Sequence, residues 1–152
     1  MKVFPSLEAL AQVAGEDIGV SDWVLVDQAR IQAFADATGD HQWIHLDQER
    51  AAQESPYKTT IAHGYLTLSL LPMLNQQIMR TEGVSATINY GLDKLRFPSP
   101  VPAGKRVRCH LKLLSLEPAG DGRHLARFMS TIEIEGSERP ACVAENLAMY
   151  LS

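Results

Sequence analysis

Residues 63–78 read HGYLTLSLLPMLNQQI and include the most apolar stretch of the chain. From residue 65 onward, apolar side chains recur at intervals of three and four, which places them on one face of a helix. The residues on this face are Leu66, Leu70, Met73, Leu74 and Ile78, and Leu68 and Leu71 widen it. The apolar run is about half of the roughly 20 residues needed to span a bilayer, and Pro72 interrupts it. The pattern therefore predicts a long buried central helix.

Downstream of this helix the apolar period changes to two, which is typical of half-buried strands. Strands are predicted over residues 84–90, 107–113, 126–134 and 141–151, with turns at Asp121-Gly122 and over residues 135–137. Short turns between such strands favour antiparallel pairing.

Upstream, cap residues predict three short helices. The first helix covers residues 7–13 after Ser6, the second covers residues 29–37 between Asp27 and Gly39, and the third runs from Asp47 to Ala52. A first strand is predicted over residues 23–26, between the first and second helices. Residues 39–45, GDHQWIH, have neither period and are predicted to form a loop. The whole pattern predicts an α+β fold in one domain over residues 1–152, in which an antiparallel sheet curls round the central helix.

Composition excludes several classes of function. The chain has 152 residues, and 45% of them are hydrophobic. Its formal charge is -4, which gives it no electrostatic reason to bind nucleic acid or an anionic membrane. Cys109 and Cys142 have no disulfide or zinc-ribbon spacing, and the first residues lack the apolar core of a secretory signal. The expected location is a reducing cytoplasm.

Asp40 and His45 lie five residues apart in the polar loop that follows a helix end. A carboxylate and an imidazole there can hold one water and divide acid and base catalysis between them. The alternative is structural: Asp40 caps a turn and His45 packs against Trp43. Spacing alone does not decide between these interpretations.

His63-Gly64 marks the start of the central helix, where backbone amides lack internal partners. Gly64 allows a ligand to approach such an amide, which would stabilise a carbonyl oxygen that gains negative charge. The alternative is that Gly64 only allows close packing against the sheet, with His63 as a cap.

Metal and nucleophilic chemistry are weaker alternatives. His41, His45, Asp40, Asp47 and His63 are possible metal ligands, but no HExxH motif occurs. No GxSxG motif or dinucleotide fingerprint occurs either, and both cysteines belong to strands that favour burial.

Two motifs in the chain resemble those of one known family. Residues 34–47, FADATGDHQWIHLD, and residues 60–64, TIAHG, together resemble the hydratase 2 motif of the MaoC-like dehydratases. The HQWIH variant is similar to the NodN-like branch. Residues 89–101, NYGLDKLRFPSPV, are similar to the family's strand and bulge before a turn at Gly104.

The resemblance implies a hot dog fold and an (R)-specific enoyl-CoA hydratase, which adds water to a trans-2-enoyl thioester. It implies that Asp40 and His45 activate the water and that the Gly64 amide polarises the thioester carbonyl. Further substrate contacts are expected from His63, Tyr65, Asn89 and Arg96, with Lys94 or Lys58 as other candidates for the phosphates. Leu68 and Leu92 are candidates for the acyl tunnel. No cofactor or metal is expected, because coenzyme A is part of the substrate.

The resemblance also implies a homodimer with the acyl tunnel between protomers. The strand over residues 84–90 carries few charges or prolines to protect a sheet edge, which independently favours pairing with a second copy. Two rival functions remain: a hot dog thioesterase, which would direct water at the carbonyl, and a module that binds acyl thioesters without turnover.

Overall fold

The computed structural model describes residues 1–152 and contains short helices in the first half and long strands in the second. The elements are β1 (Lys2–Phe4), α1 (Leu7–Ala11), β2 (Asp17–Val20), β3 (Val24–Val26), α2 (Gln28–Thr38), α3 (Trp43–Leu46), α4 (Gln48–Glu54), α5 (Gly64–Ser69), α6 (Leu71–Ile78), β4 (Met79–Thr81), β5 (Ala86–Arg96), β6 (Lys105–Pro118), β7 (Arg123–Ile134) and β8 (Cys142–Leu151). None of the helices is long and apolar enough to cross a membrane.

The main sheet is antiparallel and has the strand order β2-β6-β7-β8-β5, with β3 also paired to β6. Strands β6, β7 and β8 bury alternate side chains, as the period of two predicts. The turn at Asp121-Gly122 joins β6 to β7, and residues 135–137 follow β7. The predicted sheet and its turns are therefore confirmed.

Helices α5 and α6 form the central helix, and they pack on the inner face of the sheet in a core of 26 buried residues. The predicted central helix is confirmed, with one break in its regular hydrogen bonding at Leu70. Pro72 has no amide hydrogen to donate to the preceding turn, which accounts for the break. Leu70 nevertheless keeps right-handed helical angles, so the two segments continue one path. The architecture is the α+β hot dog fold.

Caps define the helices before the core as predicted. Side-chain oxygens of Ser6, Asp27 and Asp47 accept hydrogen bonds from the first turns of α1, α2 and α4. Two predictions in this region were incomplete. The polar loop contains a single helical turn, α3, which was not predicted. In addition, two short strands, β1 and β4, pair in parallel at the end of α6. Three-residue strands are too short to show a period in the sequence.

Strand β5 lies at one edge of the main sheet, as predicted, and is longer than the sequence pattern indicates. The prediction that it is half-buried was wrong for the isolated chain, because ten of its eleven residues are exposed. One face of β5 borders an open cavity, and the other faces outward. Two register irregularities, at Tyr90 and Asp93, interrupt its pairing with β8.

Candidate active site

Helix α2 ends at Gly39, whose φ of 83° lies in the left-handed region that glycine adopts without strain. The chain thereby turns into Asp40, whose carboxylate Oδ1 accepts a hydrogen bond from the Gln42 amide at 3.3 Å. One residue after Gln42, α3 begins and carries His45 into the interior. The helix end and the single turn together bring Asp40 and His45 to one place.

The ring of His45 is held by backbone. Its Nδ1 lies 2.7 Å from the Ile61 carbonyl oxygen, so Nδ1–H donates to that carbonyl and Nε2 carries the free lone pair. Ile61 is fixed in turn, because its amide donates to the Ile44 carbonyl at 3.1 Å. His45 is therefore oriented as a hydrogen-bond acceptor at Nε2.

Burial lowers the pKa of His45 below its ordinary value of 6.5, and the neighbouring His63 adds to the lowering. The hydrogen bond to Ile61 and the charge of Asp40 act in the opposite direction but do not reverse the shift. His45 is consequently neutral near pH 7 and able to accept a proton.

His63 completes the cluster. Its ring stacks on that of His45 with centroids 3.8 Å apart, and its Nε2 donates to the Asp40 carbonyl oxygen at 3.0 Å. Ligand atoms of Asp40, His45 and His63 all lie within 4.8 Å of one another. The ring that stacks on His45 is thus that of His63, while the Arg50 guanidinium covers the Trp43 ring.

The other two possible metal ligands lie outside this cluster. His41 bonds to the Asp36 carboxylate at 3.0 Å, and Asp47 caps α4. Within the cluster, the planes of His45 and His63 are only 26° from parallel. In-plane lone pairs of stacked rings do not converge on one point, whereas a zinc ion needs both nitrogens at about 2.0–2.1 Å.

Gly64 is the first residue of α5, and no side chain caps this helix start. A Cβ atom at this position would lie 3.0 Å from Cδ2 of Phe97, so the aromatic ring covers the glycine closely. The packing role of Gly64 is thus present in the structure. The amide end of α5 directly follows His63 of the cluster and is compatible with the ligand role as well, since the first amides of a helix have no internal partners.

A cavity of about 670 Å³ opens between the central helix and the inner side of β5 and β8. Leu68, Leu92 and Asn89, which the sequence suggested for substrate contact, line it. Leu68 lies one helical turn after Gly64, whereas Asp40, His45, His63 and Gly64 are not themselves part of the cavity lining. Tyr65 is outside this lining; it is exposed and packs edge-on against Phe97.

The three candidate cations lie on the surface and differ in their partners. Arg96 donates to the Leu95 carbonyl and has no acidic partner, and Lys58 is also unpaired. Lys94 lies 3.7 Å from the Glu145 carboxylate, which neutralises part of its charge. Arg96 and Lys58 are therefore better placed than Lys94 to meet an anionic group.

Two residues that support the site had no signal in the sequence. Gln28 Nε2 donates to the His45 carbonyl at 2.7 Å, and the Thr60 hydroxyl donates to Gln28 Oε1 at 2.5 Å. This chain joins α2, α3 and the segment before α5. Only the folded arrangement brings Gln28 and Thr60 together, because 32 residues separate them.

Both cysteines are buried, as predicted. Burial raises the pKa of Cys109 to about 12 and that of Cys142 to about 11. The thiolate is the nucleophilic form of cysteine, so neither side chain is suited to nucleophilic catalysis near neutral pH.

The fold and the motif-bearing cluster define a hydro-lyase of the MaoC-like class. The family model of the MaoC like domain matches residues 9–125, and the chain belongs to this family of dehydratases.

Known proteins are similar to this chain over most of its length. The chain is 53% identical over 152 residues to 3-hydroxyacyl-thioester dehydratase Z of Mycobacterium tuberculosis, covering 100% of both chains. It is 46% identical over 140 residues to nodulation protein N of Rhizobium leguminosarum, covering 91% of this chain and 87% of that protein. Among solved structures, R-hydratase PhaJ1 from Pseudomonas aeruginosa has a TM-score of 0.72 at 25% identity, covering 91% and 82% of the two chains.

Proposed function

We propose that this enzyme reversibly hydrates trans-2-enoyl thioesters to (R)-3-hydroxyacyl thioesters, with coenzyme A as the carrier. The observation that carries the proposal is the convergence of Asp40 and His45 beside the amide end of α5. The thioester substrate is supported by the 53% identical relative, which is named a 3-hydroxyacyl-thioester dehydratase.

In the proposed reaction, one water donates its hydrogens to the Asp40 carboxylate and to Nε2 of His45. The water oxygen forms a bond to C3 of the enoyl chain while one of these groups removes a proton. The C2–C3 double bond becomes single, and the proton removed from the water is delivered from the Asp40–His45 pair to C2 on the same face, which returns both groups to their starting forms. In dehydration the same steps run backwards, and the hydroxyl group leaves C3 as water.

Attack at C3 moves negative charge onto the thioester oxygen, so the transition state requires a hydrogen-bond donor there. The Gly64 amide is the proposed donor, because it begins a helix that no side chain caps. A donor of this kind contributes about 3 kcal/mol to transition-state stabilisation in known cases. In this proposal Asp40 and His45 supply the proton transfer, and Gly64 supplies the hydrogen bond to the thioester oxygen.

The proposed mechanism uses no cofactor and no metal. The proton transfers need only the carboxylate and the imidazole, and the stacked arrangement of His45 and His63 disfavours chelation. We further propose that Arg96 or Lys58 meets the phosphates of coenzyme A, since each is a surface cation without an acidic partner.

We also propose a homodimer in which two β5 strands pair. Strand β5 is an edge, and Ile88, Tyr90 and Leu92 on it are exposed apolar side chains. A second copy would satisfy the free backbone groups of this edge and cover the open side of the cavity.

The direct test is incubation with trans-2-butenoyl-CoA while the enoyl absorbance and the release of free thiol are followed together. Loss of absorbance without free thiol, with chiral analysis giving the (R)-3-hydroxy product, supports the proposal. Free thiol would instead indicate a thioesterase, and the (S) product would contradict the stereochemistry. Loss of activity with a chelator and its restoration by zinc would contradict the metal-free mechanism.

A further inference from the structure

Two pairs of polar side chains lie in the core beneath the cavity. Cys109 Sγ lies 3.6 Å from Asn75 Oδ1, and the Ser130 hydroxyl donates to Asn146 Oδ1 at 2.8 Å. Cys109 and Ser130 are fully buried, at 0% exposure. Each pair therefore holds the oxygen of one amide, Asn75 on α6 and Asn146 on β8.

The buried hydroxyl and thiol orient both amides in the same way. Each amide oxygen is turned toward the core, where it accepts a hydrogen bond from Ser130 or Cys109. Neither amide nitrogen has a hydrogen-bond partner in the chain, and both Asn75 and Asn146 line the cavity. Two sets of N–H donors are thus available on the cavity wall.

These donors lie far from the reacting end of the cavity. Asn75 is eleven residues after Gly64 along the central helix, or roughly 16 Å at 1.5 Å per residue. Asn146 pairs with Leu92, five positions before Phe97, whose ring covers Gly64. A thioester bound with its carbonyl at Gly64 would meet the two amides only in the distal part of its acyl chain.

We propose that the cavity selects enoyl chains that carry a hydrogen-bond acceptor, such as a keto or hydroxyl oxygen, in their distal part. This inference rests on the proposed hydratase function. An alkyl chain would remove water from both amides and give them no partner, which is costly for buried polar groups. A site built to hydrogen-bond a substrate group discriminates against the analogue that lacks it.

The test compares straight-chain trans-2-octenoyl-, trans-2-decenoyl- and trans-2-dodecenoyl-CoA with counterparts bearing an oxo group on the penultimate carbon. We expect kcat/KM for at least one oxo substrate to exceed that of its alkyl partner by about tenfold, the effect of one net hydrogen bond. Equal values, or a preference for alkyl chains at every length, would overturn the inference.

Three variants assign the preference to the amides. Asn146→Leu should abolish it, and Asn146→Asp, which keeps the oxygen for Ser130 but loses the N–H donors, should abolish it too. The preference is the ratio of oxo to alkyl kcat/KM within each protein, so a general loss of activity in a variant cancels from it. An undiminished oxo preference in both Asn146 variants and in Asn75→Leu would overturn the assignment.

A binding measurement separates failure of this inference from failure of the proposed function. If trans-2-butenoyl-CoA is not hydrated, the proposed function fails, while calorimetric affinities for decanoyl-CoA and 9-oxodecanoyl-CoA still report the selectivity of the cavity. Tighter binding of the oxo compound by the wild-type chain, but not by Asn146→Leu, supports the inference. Equal affinities contradict it.

Discussion

The imidazole of His63 stacks on that of His45 at 3.8 Å while its Nε2–H donates to the carbonyl oxygen of Asp40. One side chain thereby contacts both members of the proposed catalytic pair. Because two stacked imidazolium rings would repel each other, the stack also favours the neutral form of His45. His63 acts as a positioning residue for both groups.

Removal of either proposed acid-base group should reduce turnover while preserving the fold. We expect Asp40→Asn and His45→Gln each to lower kcat by about 10²-fold or more, as general acid-base groups do. Because both act on one water, the double variant should be scarcely slower than the slower single variant. Steady-state kinetics with trans-2-butenoyl-CoA and circular dichroism provide the measurements; multiplicative losses would show that the two residues act separately.

The pH profile should reflect the lowered pKa of His45. Protonation of Nε2 removes the acceptor, so activity falls as the pH drops through this pKa. Since burial lowers it, the acidic limb of kcat/KM should lie below pH 6.5. An acidic limb at or above pH 7 would contradict a neutral, buried His45 in the mechanism.

Two substitutions at His63 should separate its contacts. His63→Gln retains an amide donor for the Asp40 carbonyl, whereas His63→Phe retains an aromatic ring without a donor. We expect the Phe variant to lose about five- to tenfold more in kcat than the Gln variant, the effect of one hydrogen bond. In both, the acidic limb should move to higher pH, because His63 lowers the pKa of His45. Identical kinetics and an unmoved limb would leave His63 without a positioning role.

Gln28 should stabilise the protein through its two partly buried hydrogen bonds. Gln28→Leu leaves the His45 carbonyl and the Thr60 hydroxyl without their partner, so the free energy of unfolding should fall by about 1–3 kcal/mol. Gln32→Leu on the same helix is the control, because Gln32 bonds only to Asp36 at the surface. Its effect should stay within about 0.5 kcal/mol. Urea denaturation measures both, and equal losses would contradict a specific role for Gln28.

The proposed dimer predicts a difference between the two edges of the main sheet. Ile88 on β5 and Val20 on β2 are similarly exposed, at 48% and 47%. Ile88→Arg should weaken the dimer and lower activity together, whereas Val20→Arg should do neither. Size exclusion with light scattering reports the mass; a fully active wild-type species near the 16.8 kDa chain mass would contradict both the interface and the shared cavity.

Long periodic segments could be predicted from the sequence because one face of each segment packs against the core, so that apolar residues recur at a regular spacing. The alternation in β6 and β7 indicated which residues are buried, and Asp27 and Gly39 marked both ends of α2. The exposure of β5 could not be predicted. Its apolar alternation is real, but no part of the same chain covers it.

For the candidate site, Asp40 and His45 could be selected in advance, because they share one loop and belong to the motif that resembles the hydratase 2 motif. Their orientation could not, since it depends on the Ile61 carbonyl and on the distant Gln28. The tautomer of His45 and the stacking by His63 follow from segments that meet only after folding.

The parallel pair of β1 and β4 has a consequence for local opening. Met79 and Thr81 of β4 line the far end of the cavity, and β1 covers them with only three residue pairs. Short two-stranded units are marginally stable by themselves. Amide hydrogens of β1 and β4 should therefore exchange with solvent well before those of β7, at the centre of the sheet. The end wall of the cavity can thus open without global unfolding, so for the proposed thioester substrates we expect a local equilibrium rather than a rigid barrier to set the upper limit on acyl length.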